Sequence, residues 1–409
     1  MAKKEDVFKF LDKSGPAIVE LETLLTAIPA MAPESDGVGE SEKAKALEAW
    51  LIKHGITQIE HYDAKDERVP SKIRPNMVAT IPGEDDSKRI WIMSHLDVVP
   101  AGDLASWKTD PFKVVEKRGV LYGRGVEDDQ QGLVSGVFAV LALLDAKVKP
   151  AHTVKLLFMA DEEIGSVYGM QYLMKKHANL FRKSDYILVP DGGSADGTEI
   201  EVAEKGICWM KVVTKGQQTH ASMPDQGNNA FLAACDLALR IHALEKEVFN
   251  AEDPLFAPAR STINPTKKEA NVPNVNTIPG EDIFYVDMRI LPRYKMDDVV
   301  AAVEKKMRSV EKDYGVKVSY ELLQCHMSKA TAPDAPVVKA LAKAVKDVYK
   351  VEPKPVGIGG GTVSAYLRNE GFDSVVWARQ DETAHQPNES AKLANLIGDA
   401  KVFASMMLE

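Results

Sequence analysis

Short apolar runs alternate along this chain with longer stretches whose apolar residues recur every three to four positions. The runs Met77–Ile81, Ile90–Met93, Val154–Ala160 and Tyr186–Val189 are aliphatic and rich in β-branched residues, the pattern of strands covered on both faces. Residues 40–54, stopped by Gly55, and the stretches Gly132–Ala146 and Gly165–His177 carry the helical period. Strands alternating with helices predict an α/β domain around a mixed, mostly parallel sheet.

Near Glu204 the texture changes. Residues 205–215 (KGICWMKVVTK) read as a strand, about 228–246 as a helix and 283–291 as a strand. A helix at about 296–314 and a strand at 316–323 complete the segment. Two strand-helix-strand units of this size predict a small α+β domain of split-βαβ, ferredoxin-like type. After Lys329 come a helix (335–350), a glycine-rich turn (GIGGGT) with no clear strand before it, a short strand (Ser374–Ala378) and a last helix. The expected organisation is one α/β domain, residues 1–204 and 327–409, with residues 205–326 inserted.

Polar residues then concentrate where strands end. Ile90–Met93 runs into Ser94-His95-Leu96-Asp97, and Val154–Ala160 into Asp161-Glu162-Glu163. Tyr186–Val189 runs into Pro190-Asp191-Gly192-Gly193, and Ser374–Ala378 is followed by Glu382-Thr383-Ala384-His385. Open α/β sheets bind ligands beyond the carboxyl ends of their strands. Alone, the acids of MADEEIGS read as a solvated cap on the next helix. A fifth stretch, LYGRGVEDDQQG, brings Glu127-Asp128-Asp129 just before a helix. Histidines and many carboxylates gathered at one edge demand a metal. Imidazole with carboxylate suits zinc, and also manganese or cobalt. More carboxylates than one ion needs imply two ions sharing one of them.

Composition narrows the partners. A net charge of -9 over 409 residues excludes a basic face for nucleic acid or an anionic membrane. Cys208, Cys235 and Cys325 lie far apart in sequence, without metal or redox spacing, and so few cysteines fit a reducing cytoplasm. The first residues, MAKKEDVFKFLDKSG, lack the apolar segment of a signal peptide, and Val134–Leu144 is about half a membrane span.

The motifs SHLDVVP, YGRGVEDD, MADEEIGS and AHQPNE, in that order and with THASMPDQGNNA between the last two, resemble the M20 metallopeptidase family. That family includes dipeptidases, glutamate carboxypeptidases, aminoacylases, and acetylornithine and succinyl-diaminopimelate deacylases. The resemblance spans essentially the whole chain. It implies a homodimeric amidohydrolase with two divalent ions, zinc first, and an inserted lid and dimerisation domain. It implies that His95 and Asp191 ligate one ion, that Glu163 and His385 ligate the other, and that Asp128 bridges. It makes Asp97 the partner that fixes the His95 ring and Glu162 the general base, and it implies a cis peptide after Asp128. His220 becomes an oxyanion donor, reaching in from a partner subunit in dimeric members. Arg289, Asn276 and the loop of Gly360, Gly361 and Thr362 become holders of the substrate's carboxylate.

Two features depart from the family's pattern. Many members read Asp-x-Lys-Gly after the bridging aspartate, whereas Asp128-Asp129-Gln130-Gln131-Gly132 has no lysine and one extra residue. Asp191 stands where the deacylases tend to carry glutamate and the peptidases aspartate, which favours a dipeptide substrate over an N-acyl amino acid. A binuclear phosphoesterase would want lysines or arginines at the strand exits, which offer few.

Overall fold

The computed structural model describes residues 2–409. The chain folds into two compact units. One comprises residues 2–202, Thr331–Val356 and Thr362–Glu409, and the other Ala203–Ala330 with Gly357–Gly361. No helix among the described residues is long and apolar enough to cross a membrane.

The first unit is built on an eight-stranded sheet. Its order is Ile59–His61, Met77–Ile81, His152–Met159, Asp85–His95, Tyr186–Gly193, Ser374–Ala378, Glu199–Glu204 and Lys354–Ile358. The four strands from His152–Met159 to Ser374–Ala378 are mutually parallel, and Met77–Ile81 and Glu199–Glu204 flank them antiparallel. The sheet is therefore the mixed, mostly parallel one expected.

Alternate residues of these strands serve opposite faces. Trp91, Met93, Leu157, Met159, Ile187 and Val189 pack with Met170 and Leu173 on one face. On the other, Ile92 and Leu156 lie against Gly136 of the helix Gln130–Asp145. That helix is buried along almost its whole length because it also packs against Leu393–Met407 and Ala2–Lys13.

The second unit is a β-α-β-β-α-β arrangement. Its strands are Gly206–Lys215, Thr262–Lys268, Glu281–Ile290 and Lys317–His326, and its helices Ala230–Glu247 and Met296–Tyr314. The sheet is antiparallel throughout, in the order Thr262–Lys268, Glu281–Ile290, Gly206–Lys215, Lys317–His326. This is the ferredoxin-like order. The helices close one face over Met210, Val212, Leu237, Val286 and Val303.

Several elements escaped the sequence pattern. Thr262–Lys268 carries Pro265 and three exposed lysine or threonine positions, and it tolerates the proline because it is an edge strand with a register break at Pro265. GIGGGT does have a strand before it, Lys354–Ile358, contrary to the reading from sequence. That strand, too, lies at a sheet edge, where its proline and glycine cost little. The helix expected from Gly165 begins only at Met170, because Gly165 and Ser166 are both left-handed.

Candidate metal centre

The four parallel strands are neighbours, so their carboxyl ends share one edge of the sheet. His95 is the last residue of its strand, and Asp191 lies within Tyr186–Gly193. Glu162 and Glu163 form the short turn after His152–Met159, and His385 follows Ser374–Ala378 in a loop. Asp128 arrives from the loop ahead of Gln130–Asp145, and the Asp128–Asp129 peptide is cis. Gly132 is required here. A Cβ at that position would lie 2.3 Å from Asp129 Oδ1 and 2.5 Å from Pro190 Cγ, so no other residue lets this helix start so close to the Asp191 strand.

The side chains converge. His95 Nε2 lies 2.8 Å from Asp128 Oδ1, and His385 Nε2 lies 3.1 Å from Asp128 Oδ2. The two oxygens of one carboxylate thus face two different imidazoles. His385 Nε2 is also 2.9 Å from Glu163 Oε2, and His95 Nε2 is 3.9 Å from Asp191 Oδ1. Two sets of donor atoms, His95-Asp128-Glu163 and His95-Glu162-Asp191, each fall within 4.8 Å.

A second layer of buried groups orients these. Asp97 presents its backbone carbonyl 3.0 Å from His95 Nδ1, and its carboxylate Oδ1 3.4 Å away. The same carboxylate accepts the backbone N–H groups of Glu162 (3.1 Å) and Glu163 (3.0 Å), so one side chain ties two strand exits together. Asp129 Oδ2 accepts the His95 N–H at 3.2 Å. The Glu389 carboxylate accepts N–H groups of Gly125, Glu127 and Asp128 and is paired with Arg124 Nη1 at 2.6 Å. Glu127 answers from the other side, accepting the N–H of Asp381 and both the N–H and hydroxyl of Thr383. Each of two loops, one bearing Asp128 and the other His385, is held by a carboxylate of the other.

The charges do not balance among protein groups alone. Burial opposes charge on His95, but Asp128 and Asp97 outweigh it and hold the imidazole well above its ordinary pKa. Hydrogen bonds to Asp128 and Glu163 raise His385 to about 10. Burial would raise Asp128, yet the two imidazoles hold it below the usual carboxylate range. Glu162 moves the other way. Burial, with the charges of Glu163, Asp128 and Asp97, pushes it well above that range against the pull of His95. Burial and neighbouring carboxylates also raise Asp191 and Glu163. Surplus carboxylates converging with two imidazoles, and no sulfur, are the donor set of a divalent cation pair, whose charge would relieve the repulsion.

The sequence profile of peptidase family M20/M25/M40 matches residues 91–409. The chain belongs to this family. It is an M20 metallohydrolase. An uncharacterized metallohydrolase of Methanocaldococcus jannaschii is 38% identical over 403 residues, covering 95% of this chain and 98% of that protein. A succinyl-diaminopimelate desuccinylase of Nitratiruptor sp. is 24% identical over 377 residues, 91% of this chain and 94% of its own. Among solved structures, the dipeptidase Dug1p of Saccharomyces cerevisiae shares the fold with a TM-score of 0.77 at 19% identity, covering 100% of this chain and 98% of its own.

The remaining residues singled out from the M20 motifs lie mostly in the second unit. His220 and Asn276 come together on a short ribbon that pairs Thr219–His220 with Thr277–Ile278. The Ala221 N–H donates to the Asn276 carbonyl, and both side chains are exposed. Arg289 donates to both oxygens of Asp287 and, through Nη1, to the Gly359 carbonyl at 2.9 Å. The start of the glycine loop therefore sits against Arg289. Gly360 and Gly361 are exposed, and Thr362 belongs to the first unit, where its hydroxyl accepts the Ser364 N–H.

In place of the M20 lysine stand two buried glutamines. Gln130 donates to Glu22 and Thr26, and Gln131 to the Arg379 carbonyl and Asp399. Lys43, fully buried on the helix Ser41–Lys53, is lowered to about 8 by burial, opposed by the charges of Asp97, Glu22, Glu40 and Glu389.

The sequence reading assigned nothing to Asp161, and the structure gives it a place. It is buried and left-handed (φ 72°), accepts the Tyr168 N–H at 2.9 Å and pairs with Arg74 Nη2 at 3.0 Å. Glu127, Glu389 and Arg74 were likewise missed. Glu127 and Glu389 do stand inside the motifs YGRGVEDD and AHQPNE, but nothing local tells a carboxylate that grips a backbone from one that binds an ion.

Proposed function

We propose that this M20 metallohydrolase cleaves the amide bond of dipeptides or related small substrates bearing a free carboxylate. The observation that carries the reading is Asp128, whose two oxygens each face one imidazole, His95 and His385. A carboxylate so placed is suited to bridge two ions, one held with His95 and Asp191 and the other with Glu163 and His385. Such ions would acidify a water and polarise a carbonyl; zinc is the first choice, with cobalt or manganese able to substitute. Glu162 takes a proton from the attacking water and delivers it to the leaving nitrogen, which requires that one of its oxygens stay free. Asp97 acts by holding the backbone of Glu162 and Glu163. His220 donates to the developing oxyanion, and Arg289 with Asn276, Gly360, Gly361 and Thr362 holds the substrate's carboxylate. The second unit, about residues 205–326, serves as lid and as the interface of a homodimer. The enzyme works in the cytoplasm.

The relatives named as desuccinylases favour a second reading, removal of an acyl group from an N-acyl amino acid. The aspartate at position 191 and the shared fold with dipeptidases favour the first. Chelated enzyme should be inactive and regain activity with zinc, cobalt or manganese, on dipeptides more than on N-succinyl or N-acetyl amino acids. Activity that survives chelation overturns the metal reading, and a preference for N-succinyl substrates selects the second. Glu162→Gln should keep its metal and lose 10²–10⁴-fold in rate; near wild-type turnover removes Glu162 as the base.

A further inference from the structure

Cys208 and Cys325 are far apart in sequence, yet the fold brings them into contact. Both are unbridged thiols. They are direct register partners on the antiparallel strands Gly206–Lys215 and Lys317–His326, and the Cys325 thiol donates to Cys208 Sγ at 2.9 Å. Opposed residues of antiparallel strands stand about 4.5–5.5 Å apart at Cα, within the roughly 4.4–6.8 Å over which a disulfide closes. Both side chains turn to the packed face of the sheet. Cys208 is buried in the apolar core of the second unit and Cys325 packs against that core, half-buried.

We infer that Cys208 and Cys325 are a redox-active dithiol, which a small-molecule disulfide converts into an intrachain cross-strand disulfide. Burial and the neighbouring Cys325 sulfur push the Cys208 thiol up, so the half-buried Cys325 reacts first. Its thiolate attacks one sulfur of the reagent. A Cys325–sulfur bond forms as the reagent's S–S bond breaks, and the first thiol leaves with a proton. Cys208 then loses its proton and attacks Cys325 Sγ, which breaks the mixed disulfide and releases the second thiol. Two protein thiols are oxidised by two electrons, and the reagent is reduced to two thiols. The new bond spans 117 positions of the chain. It ties together the strands by which the chain enters the second unit after Val202 and leaves it after Ala330. Closing so long a loop restricts the unfolded chain, so the second unit gains thermal stability.

The test treats the native protein with glutathione disulfide, quenches it with acid and counts thiols after denaturation. The three thiols should fall to one, and the two in Cys235→Ser to none, with an intact mass lower by two hydrogens. Peptide mapping should join Cys208 to Cys325. Thermal unfolding should rise by a few degrees, and dithiothreitol should reverse every change. Three thiols persisting, a stable glutathione adduct on Cys325, or linkage between chains through Cys235 would each overturn the inference. Cys325→Ser, which keeps nearly the same shape, should leave Cys208 unmodified; a Cys208 that still reacts would also count against the pair.

Discussion

Arg74 offers the sharpest test of how the acidic edge is held. Its side chain is wholly buried and touches three carboxylates. It donates to both oxygens of Glu40, lies 3.5 Å from Asp66 Oδ2 and pairs with Asp161 Oδ1 at 3.0 Å. Arg74→Met keeps most of the volume and removes the charge. Breaking a buried pair by removing one partner costs about 3–5 kcal/mol, a large share of the ~5–15 kcal/mol that stabilises a typical protein. The loss should depend on pH. Burial holds Glu40 up at about 7 even with Arg74 opposing it, above its ordinary 4.5. A raised carboxyl contributes stability that is complete below 4.5 and is lost as pH climbs through 7. Without Arg74 the Glu40 pKa rises further, so the deficit should widen between pH 5.5 and pH 8, by up to about 1.4 kcal/mol for the one unit between pH 7 and pH 8. Urea unfolding at the two pH values measures this. Adding Asp161→Asn should recover about 0.5–3 kcal/mol if Arg74 neutralises that acid. Hydrolysis by Arg74→Met, measured where it is fully folded, should also fall, because Arg74 anchors Asp161, the residue directly before Glu162. A loss below about 1 kcal/mol, equal at both pH values and with no coupling to Asp161, would refute the reasoning.

Other consequences are as direct. Glu389→Gln places an amide N–H₂ against two of the donors that now meet a carboxylate, which loosens the loop of Asp128. Metal affinity, followed by chelator competition, should drop about 10–100-fold with the far-UV spectrum unchanged, and wild-type affinity would dismiss the clamp. Asp399 is fully buried and raised to about 7 by burial, with hydrogen bonds from Tyr349, Arg379 and Gln131 opposing. Its contribution is complete below 3.8 and lost as pH rises to 7, so the part of the wild-type pH slope that belongs to Asp399 should be about 2 kcal/mol between pH 5.5 and 7. Asp399→Asn should flatten that slope, since the amide oxygen still accepts Gln131 and Arg379 while its nitrogen donates to the Tyr349 oxygen; parallel slopes in denaturation would rule Asp399 out. If His220 acts across a dimer, mixing His220→Ala with Glu162→Gln chains should restore part of the activity, and mixtures as inactive as either parent would place His220 within its own chain.

Much of this was legible in one dimension. Periodicity located the four parallel strands because a strand covered on both faces must be apolar almost throughout, as in His152–Met159 and Ser374–Ala378. The strand exits could be read because His95, Glu162, Glu163 and Asp191 come within a few residues of such runs, whereas His385 and Asp128 stand in loops. Edge strands were less legible. Thr262–Lys268 and Lys354–Ile358 stand at the ends of their sheets, so selection for apolar, β-branched residues is weak and proline is admitted.

What the sequence by itself determined is the list of chemical groups and the local elements that carry them: two histidines, the carboxylates of four motifs, and strands ending where those motifs begin. Only the tertiary structure decided which groups meet. Asp128 faces His95 and His385 from positions 33 and 257 residues away. Glu389 grips a loop more than 260 residues earlier, and Cys208 finds Cys325 across a strand pair. The physical reason is range. Hydrophobic period and turn chemistry act over a few residues. The charge, burial and register that bring carboxylate to imidazole or thiol to thiol exist only once distant strands lie side by side in the sheets.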